Sequence, residues 1–446
     1  MTADPDKQAE PVAPLCDGGG GAAADARFPD DFWFGSGTSG HQIEGDNVHC
    51  QDAHEEIYDP HGVRQAVGKQ PSGKACDHWN RWREDVDLIA ELGHQAWRFS
   101  CEWSRIEPAQ GQVDEAALAR YIARSERLAE RGIKQVITLC HWTHPQWFEE
   151  LGGFTRDENW VHWERHVERM ARHFKPFAAA WVTLNEVEAA AGARPAHARG
   201  YARGHAIAYH ILKRHSAAPV GMAGCGGWVE PLRADDAADR ALAAWRQWQG
   251  GDWWLHMIRT GELVLLGHDA VALPDVRGTS DWWMINYYRR GFADARHANG
   301  NGEYPSWTRR KMFAHVPPGD RKAAAMDDDE IHPETLLRVL ERHRDKPILI
   351  TENGIGTDFD ELRRELLAGN LAAVQEAIRR GVAVRGYLHW STMDNFEWGT
   401  FVPRFGLVHV DFENFRRTPK PSAYLYRDII RDRSLAPATI AANTIS

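Results

Sequence analysis

Eight times along this chain a short apolar run gives way to a stretch with helical periodicity, and that alternation restricts the fold more than any other feature. The runs are Phe32-Trp33-Phe34-Gly35, Ala96-Trp97-Arg98-Phe99, Gln135-Val136-Ile137-Thr138-Leu139, Trp181-Val182-Thr183-Leu184, Val220-Gly221-Met222, Trp282-Trp283-Met284-Ile285, Ile348-Leu349-Ile350, and Val382 through Leu388. Runs of this kind read as strands buried on both faces, and such strands separated by helices form a parallel sheet. Asp77 is the expected N-cap of a helix in which Trp79, Trp82, Val86 and Ile89 share one face, with Gly93 as its stop. Asp114 opens a second helix with Leu118, Tyr121, Ile122 and Leu128 inward, closed by Gly132. Further helices are predicted at about 158–174, 203–215, 236–260, 334–343, 360–380 and 421–431. Eight strand–helix steps predict an α/β fold, a closed (β/α)8 TIM barrel, as a single domain over residues 27–435. The alternative is an open, doubly wound sheet. Gly35-Ser36-Gly37-Thr38-Ser39-Gly40 is rich in glycine, but it lacks the spacing and helix opening of a dinucleotide loop.

The two ends do not continue the pattern. Residues 1–26 include Gly18 to Gly21 in a row and have little to bury, so they read as a disordered tail, with a second tail at 436–446. The formal net charge of -10 argues against a nucleic-acid partner. No apolar stretch is long enough to cross a bilayer, and the N-terminus shows no basic region followed by an apolar segment, so the expected location is cytoplasmic, away from membranes. Cys16, Cys50, Cys76, Cys101, Cys140 and Cys225 are scattered with no Cys-x-x-Cys pair, and reduced thiols are the simplest reading.

In a parallel barrel, chemistry is done where the strands meet the loops that follow them. Read that way, the chain offers Gln42, Arg98, His141-Trp142, Asn185-Glu186, Asn286 with Tyr288, Glu352, Trp390 and Glu397-Trp398. Glu186 and Glu352 each close an apolar run and each sit beside an asparagine. Taken singly, either is equally readable as a surface or helix-capping acid. Two carboxylates facing one pocket can break a glycosidic bond: one protonates the leaving oxygen and the other attacks or activates water. The amides and carboxylates around them suit a ligand whose hydroxyls both donate and accept. Most of the 20 tryptophans read as packing, with a minority available as platforms for the apolar face of a sugar ring.

Several of these stretches together resemble the family 1 glycoside hydrolases, the β-glucosidase type. They are Phe34-Gly35 through His41-Gln42-Ile43-Glu44-Gly45, Trp97-Arg98-Phe99-Ser100, His141-Trp142, Thr183-Leu184-Asn185-Glu186, Ile285-Asn286-Tyr287-Tyr288, Thr351-Glu352-Asn353-Gly354 and Asp394-Asn395-Phe396-Glu397-Trp398. Arg404 to Leu407 and Arg417 to Lys420 add to them, and the resemblance runs from about Phe28 to Tyr426. It implies that Glu352 is the nucleophile and Glu186 the acid/base. It implies that Gln42, His141, Trp142, Asn185, Tyr288, Glu397 and Trp398 bind the sugar, with Trp390 beneath it. It also implies that Arg98, Asn286 and Tyr288 orient or charge-balance the nucleophile. Arg98 is expected to depress the pKa of Glu352, and the Glu352 charge to raise that of Glu186. The implied substrate is a small β-glycoside with no cofactor and no metal; glucose is the first glycone, fucose and galactose the others, and no oligomeric state is implied.

Relatives that cleave thioglucosides carry Gln at the position of Glu186, so an O-glycosidase is favoured. A carboxylate at Glu397 would repel a 6-phosphate. Four departures stand out. Val187 replaces the usual proline after the acid/base, which removes a restraint on Glu186. Trp398 to Arg404 is one residue shorter than usual, Asn185 to His210 is short for an entrance loop, and His41 replaces an aromatic. Rival functions are a metal-dependent hydrolase built on His141 and His144, a non-catalytic sugar-binding barrel, and a transglycosylase of the same family. Residues three apart on a strand point to opposite faces, which counts against the metal site.

Overall fold

A computed structural model describes residues 27–53, 70–188, 194–296 and 330–436. The predicted N-terminal tail, most of the predicted C-terminal tail and Cys16 lie outside them, as do 189–193 of the entrance stretch. Eight strands close on themselves: β1 (Trp33–Gly37), β2 (Ala96–Ser100), β3 (Lys134–Cys140), β4 (Ala178–Asn185), β5 (Val220–Cys225), β6 (Trp283–Asn286), β7 (Ile348–Asn353) and β8 (Val384–Trp390). Every pairing is parallel, and closure comes from β1, which pairs with β2 through Gly35↔Ala96 and with β8 through Trp33↔Gly386. At the first seam the strands come so close that a Cβ on Gly35 would lie 1.8 Å from the Ala96 carbonyl oxygen.

The barrel's inside is packed with apolar side chains. Ala96, Val136, Ala180, Val182, Ala223, Met284, Leu349 and Leu388 form one buried cluster, with Trp33 and Trp282 against it. Side chains two apart on a strand share a face, so Arg98 stands one layer above Ala96 and Thr138 one layer above Val136. The apolar layers exclude water, and the polar layer above them forms the floor of the site.

Around the barrel stand α1 (His78–Glu91), α2 (Glu115–Glu130), α3 (Trp160–Phe174), α4 (Pro195–His215), α5 (Ala237–Gln247), α6 (Trp253–Thr260), α7 (Pro333–Arg342), α8 (Asp360–Arg379) and α9 (Pro421–Asp432). Asp114 caps α2 as its sequence predicts, accepting from the N–H groups of Ala116 and Ala117 at 2.9 Å each. Asp77 does not cap α1. It adopts a left-handed conformation and its carboxylate binds Asn80 and Arg81 instead. The helix expected near 203 begins at Pro195: proline fits the first helical position, and Gly200 allows the new first turns to press against the Phe154 carbonyl. The stretch 236–260 is two helices joined by a π turn, Trp248–Asp252, with Gly251 at φ 152. Cys50, Cys76, Cys101, Cys140 and Cys225 are free and buried. Among the described residues no helix is long and apolar enough to cross a membrane.

Candidate active site

Glu352 sits at the end of β7, and a strand irregularity puts it there. Leu349 faces the barrel interior, so strict alternation would turn position 352 outward. The pairing of β7 with β6 shifts between Ile350 and Glu352, which re-aims the carboxylate into the barrel mouth. There it is buried and held from two sides. Arg98 Nη1 donates to Oε1 at 2.5 Å, and the Tyr288 hydroxyl donates to Oε2 at 2.6 Å. Arg98 is itself fixed by Thr138 Oγ1 at 3.1 Å and Asn185 Oδ1 at 2.6 Å. Arg98 lowers the pKa of Glu352 as expected, yet the net shift is upward. Burial outweighs the downward pull of Arg98 and of the Tyr288 hydrogen bond.

Glu186 follows the last residue of β4, and its main-chain N–H is bonded to the Ala223 carbonyl on β5 at 2.7 Å. With φ 48 its backbone is left-handed, which turns the side chain toward the pocket. Asn286 Nδ2 donates to Glu186 Oε1 at 2.9 Å and to Asn185 Oδ1 at 3.1 Å, while its own Oδ1 accepts from Thr351. One amide therefore links both carboxyl-bearing strand ends. Burial first, then the charges of Glu352 and Glu188, push the Glu186 carboxyl up to about 8. The arrangement favours charge on Glu352, which faces a guanidinium, and a proton on Glu186, which faces an amide and two acids.

Gln42, His141, Trp142, Trp390, Glu397 and Trp398 line the same cavity of about 360 Å³, and Asn185 and Arg98 stand behind its wall. His141 stacks on Trp390 with ring centroids 5.5 Å apart and on Trp398 at 6.2 Å. Trp142 meets Trp398 at 4.5 Å and is the more exposed of the indoles here. Arg98 orients the Asn185 amide, so its Nδ2 donates to His141 Nε2 at 3.2 Å and Nδ1 carries the proton of a neutral ring. Burial, and next the Arg98 charge, hold His141 well below the usual histidine range. Glu397 accepts from Trp390 Nε1 at 3.3 Å, and burial raises its carboxyl to about 8. Gln42 donates to Asn395 Oδ1 at 3.0 Å and to the Phe396 carbonyl at 2.8 Å. Its Oε1 accepts from Ser39 and retains one lone pair for a ligand hydroxyl. His41, in place of an aromatic, stacks on Trp398 at 5.8 Å.

Gly226, Gly227, Arg289 and Phe405 also line the cavity, and the sequence reading did not place them there. Gly226 and Gly227 follow β5, the strand end that offered no chemical group. Nothing in the sequence marks Glu188, although it lies two residues beyond Glu186. A larger groove of about 690 Å³ lies outside the barrel between α3, α4 and the segment 271–276. There Arg214 pairs with Glu168 at 2.9 Å, and Arg203 reaches Asp157 at 2.6 Å. Among the described residues no three His, Cys, Asp or Glu side chains are grouped to hold a metal. His144 turns to Glu149 at 2.8 Å.

The family model for glycosyl hydrolase family 1 matches residues 24–435. Thermostable beta-glucosidase B of Thermobispora bispora is 32% identical across 93% of this chain and 93% of its own length. Beta-glucosidase A of Thermotoga maritima is 28% identical across 92% of this chain and 99% of its own. The structure of a beta-glycosidase from Pyrococcus horikoshii matches with a TM-score of 0.79 at 31% identity, over 94% of this chain and 98% of that one. The likeness runs through all eight strands and both carboxyl-bearing strand ends, and this chain belongs to glycosyl hydrolase family 1.

Proposed function

We propose that the protein is a retaining β-glucosidase that hydrolyses small β-glucosides by double displacement, with Glu352 as nucleophile and Glu186 as acid/base. The observation that supports this most is the unequal environment of the two carboxyls. Glu352 faces Arg98 and Tyr288; Glu186 faces Asn286 and the charge of Glu352. In the first step Glu352 attacks the anomeric carbon while Glu186 gives its proton to the departing oxygen. The resulting ester removes the Glu352 charge, so Glu186 loses one of the groups that kept it protonated. Glu186 can then take a proton from water as the water oxygen bonds to the anomeric carbon and the Glu352 carboxylate leaves it. The relatives named beta-glucosidase support glucose as the glycone.

Retention is the test. Retaining pairs lie about 5–5.5 Å apart, too close to admit a water between them. Proton NMR of the first-formed sugar from an aryl β-glucoside should show the β-anomer. Initial release of the α-anomer would end the proposal.

The glycone reading rests on Glu397. Its carboxyl lies beside Trp390 and is oriented at the main chain by its N–H to Thr400. Trp390 occupies one of its carboxylate oxygens, and a lone pair left unmatched toward the cavity is costly, so Glu397 should demand hydroxyls at the sugar's 4- and 6-positions. Glu397→Ala is expected to lower kcat/KM for the glucoside by roughly 100-fold. For the 6-deoxy fucoside, which already lacks one partner, the loss should be about fivefold smaller. Equal losses would make Glu397 a brace of the rim, and a 6-phosphoglucoside as best substrate would reverse the assignment.

A further inference from the structure

A third carboxyl lies behind the pair. Glu188 is 5% exposed, two residues beyond Glu186. Its Oε1 accepts from the Cys225 N–H at 2.6 Å, and Oε2 has no partner among the described residues. The niche it occupies is shaped for it. Gly224 has φ 150, and a Cβ there would stand 2.1 Å from Oε1, so only glycine leaves room for the carboxylate. Cys225 is also left-handed, at φ 58, and this bend aims its N–H at Glu188.

The same strand end holds Glu186. The Ala223 carbonyl accepts from the Glu186 N–H, and the Cys225 N–H donates to the Glu188 side chain. The turn Glu186-Val187-Glu188 is therefore stitched to β5 at two points, one through the main chain and one through a carboxylate. Val187 leaves that turn without the restraint a proline would supply.

We propose that Glu188 is a positioning residue for the acid/base: it pins the Glu186 turn to β5 and adds a second negative neighbour that keeps the proton on Glu186. This rests on the reading of Glu186 as acid/base. The ionisable groups facing Glu186 are Glu352 from β7, Arg98 from β2, Tyr288 beyond β6 and Glu188 from its own turn. Those facing Glu188 are Glu186, Glu352 and the Cys225 thiol, which burial keeps neutral. Burial is the largest cause of the upward shift of both carboxyls, Glu188 to about 7 and Glu186 to about 8. An ionised Glu188 raises the Glu186 carboxyl and so delays loss of its proton.

The alkaline limb of kcat/KM reads the acid in the free enzyme. Glu188→Gln keeps an acceptor for the Cys225 N–H and removes the charge. On an alkyl or nitrophenyl β-glucoside its alkaline limb should move to lower pH by about 0.5–1 unit. Glu188→Asp keeps the charge and shortens the reach to Cys225. Its limb should stay near the wild-type position while kcat falls about tenfold. A Glu188→Gln limb at the wild-type pH overturns the proposal, and so does a Glu188→Gln protein that fails to fold, which would make the carboxylate purely structural. A wild-type control separates this from the underlying reading. With a dinitrophenyl leaving group, which needs no acid, the wild-type alkaline limb should disappear. If it persists, the assignment of Glu186 itself fails.

Discussion

Glu352→Gly is expected to lower kcat by about 10⁵-fold or more on every glycoside, whatever the leaving group. Among the described residues no other carboxylate bonds both Arg98 and Tyr288, so none replaces it as attacking group. The substitution leaves a small cavity with a guanidinium and a phenol directed into it. Formate or azide should occupy that cavity and attack from the same face as the lost carboxylate. The expected product with azide is an α-glycosyl azide, with rate recovery that saturates in azide concentration. Product NMR and a melting curve check the result. Folded protein that keeps more than about 1% of wild-type kcat without added anion would remove Glu352 from the role of nucleophile.

Glu186→Ala should behave differently. Its loss removes the proton donor from the first step and the base from the second. An activated aryl glycoside can still form the glycosyl-enzyme, because its leaving group departs without a proton. An alkyl glycoside cannot, and its kcat/KM should fall by about 10⁴-fold or more. With the activated substrate the second step becomes limiting, and a burst of released phenol should precede slow turnover. Azide needs no general base, so it should restore turnover and give the β-glycosyl azide. Opposite anomers from the two rescued variants would assign the two faces of the sugar independently. Equal, unrescuable damage at both positions would mean that neither carboxyl is the nucleophile or the acid/base.

These expectations depend on features of unequal legibility. Glu352 and Glu186 could be found because each ends a run whose period marks it as strand, and because strand ends are where a barrel gathers its loops. Arg98 could be placed by counting two residues up from Ala96. Asp114 as a cap and Gly132 as a stop obey local rules that involve a few neighbouring residues. The cap at Asp77 failed because Asn80 and Arg81 compete for the same carboxylate within the first turn. The start of α4 was missed because its early turns are stabilised by packing on Phe154, not by an apolar period of their own.

The direction of the Glu352 shift shows the same division. Arg98 could be paired with Glu352 from the strand ends alone, and its attraction has the expected sign. The depth of burial could not be read there, because it is set by eight strands closing over an apolar plug. That closure made desolvation the larger effect. Glu188 was likewise unremarkable as a letter in the chain. It gained its place only when Gly224 and Cys225 on β5 folded against it. By itself, then, the sequence determined the alternation of strand and helix, the two carboxyls at strand ends and the polar rim around them, because periodicity and turn chemistry act over a few residues. The tertiary structure alone decided the bulge that aims Glu352, the shared amide of Asn286 and the niche that holds Glu188, because each is made by strands far apart in the chain and adjacent only in the closed barrel.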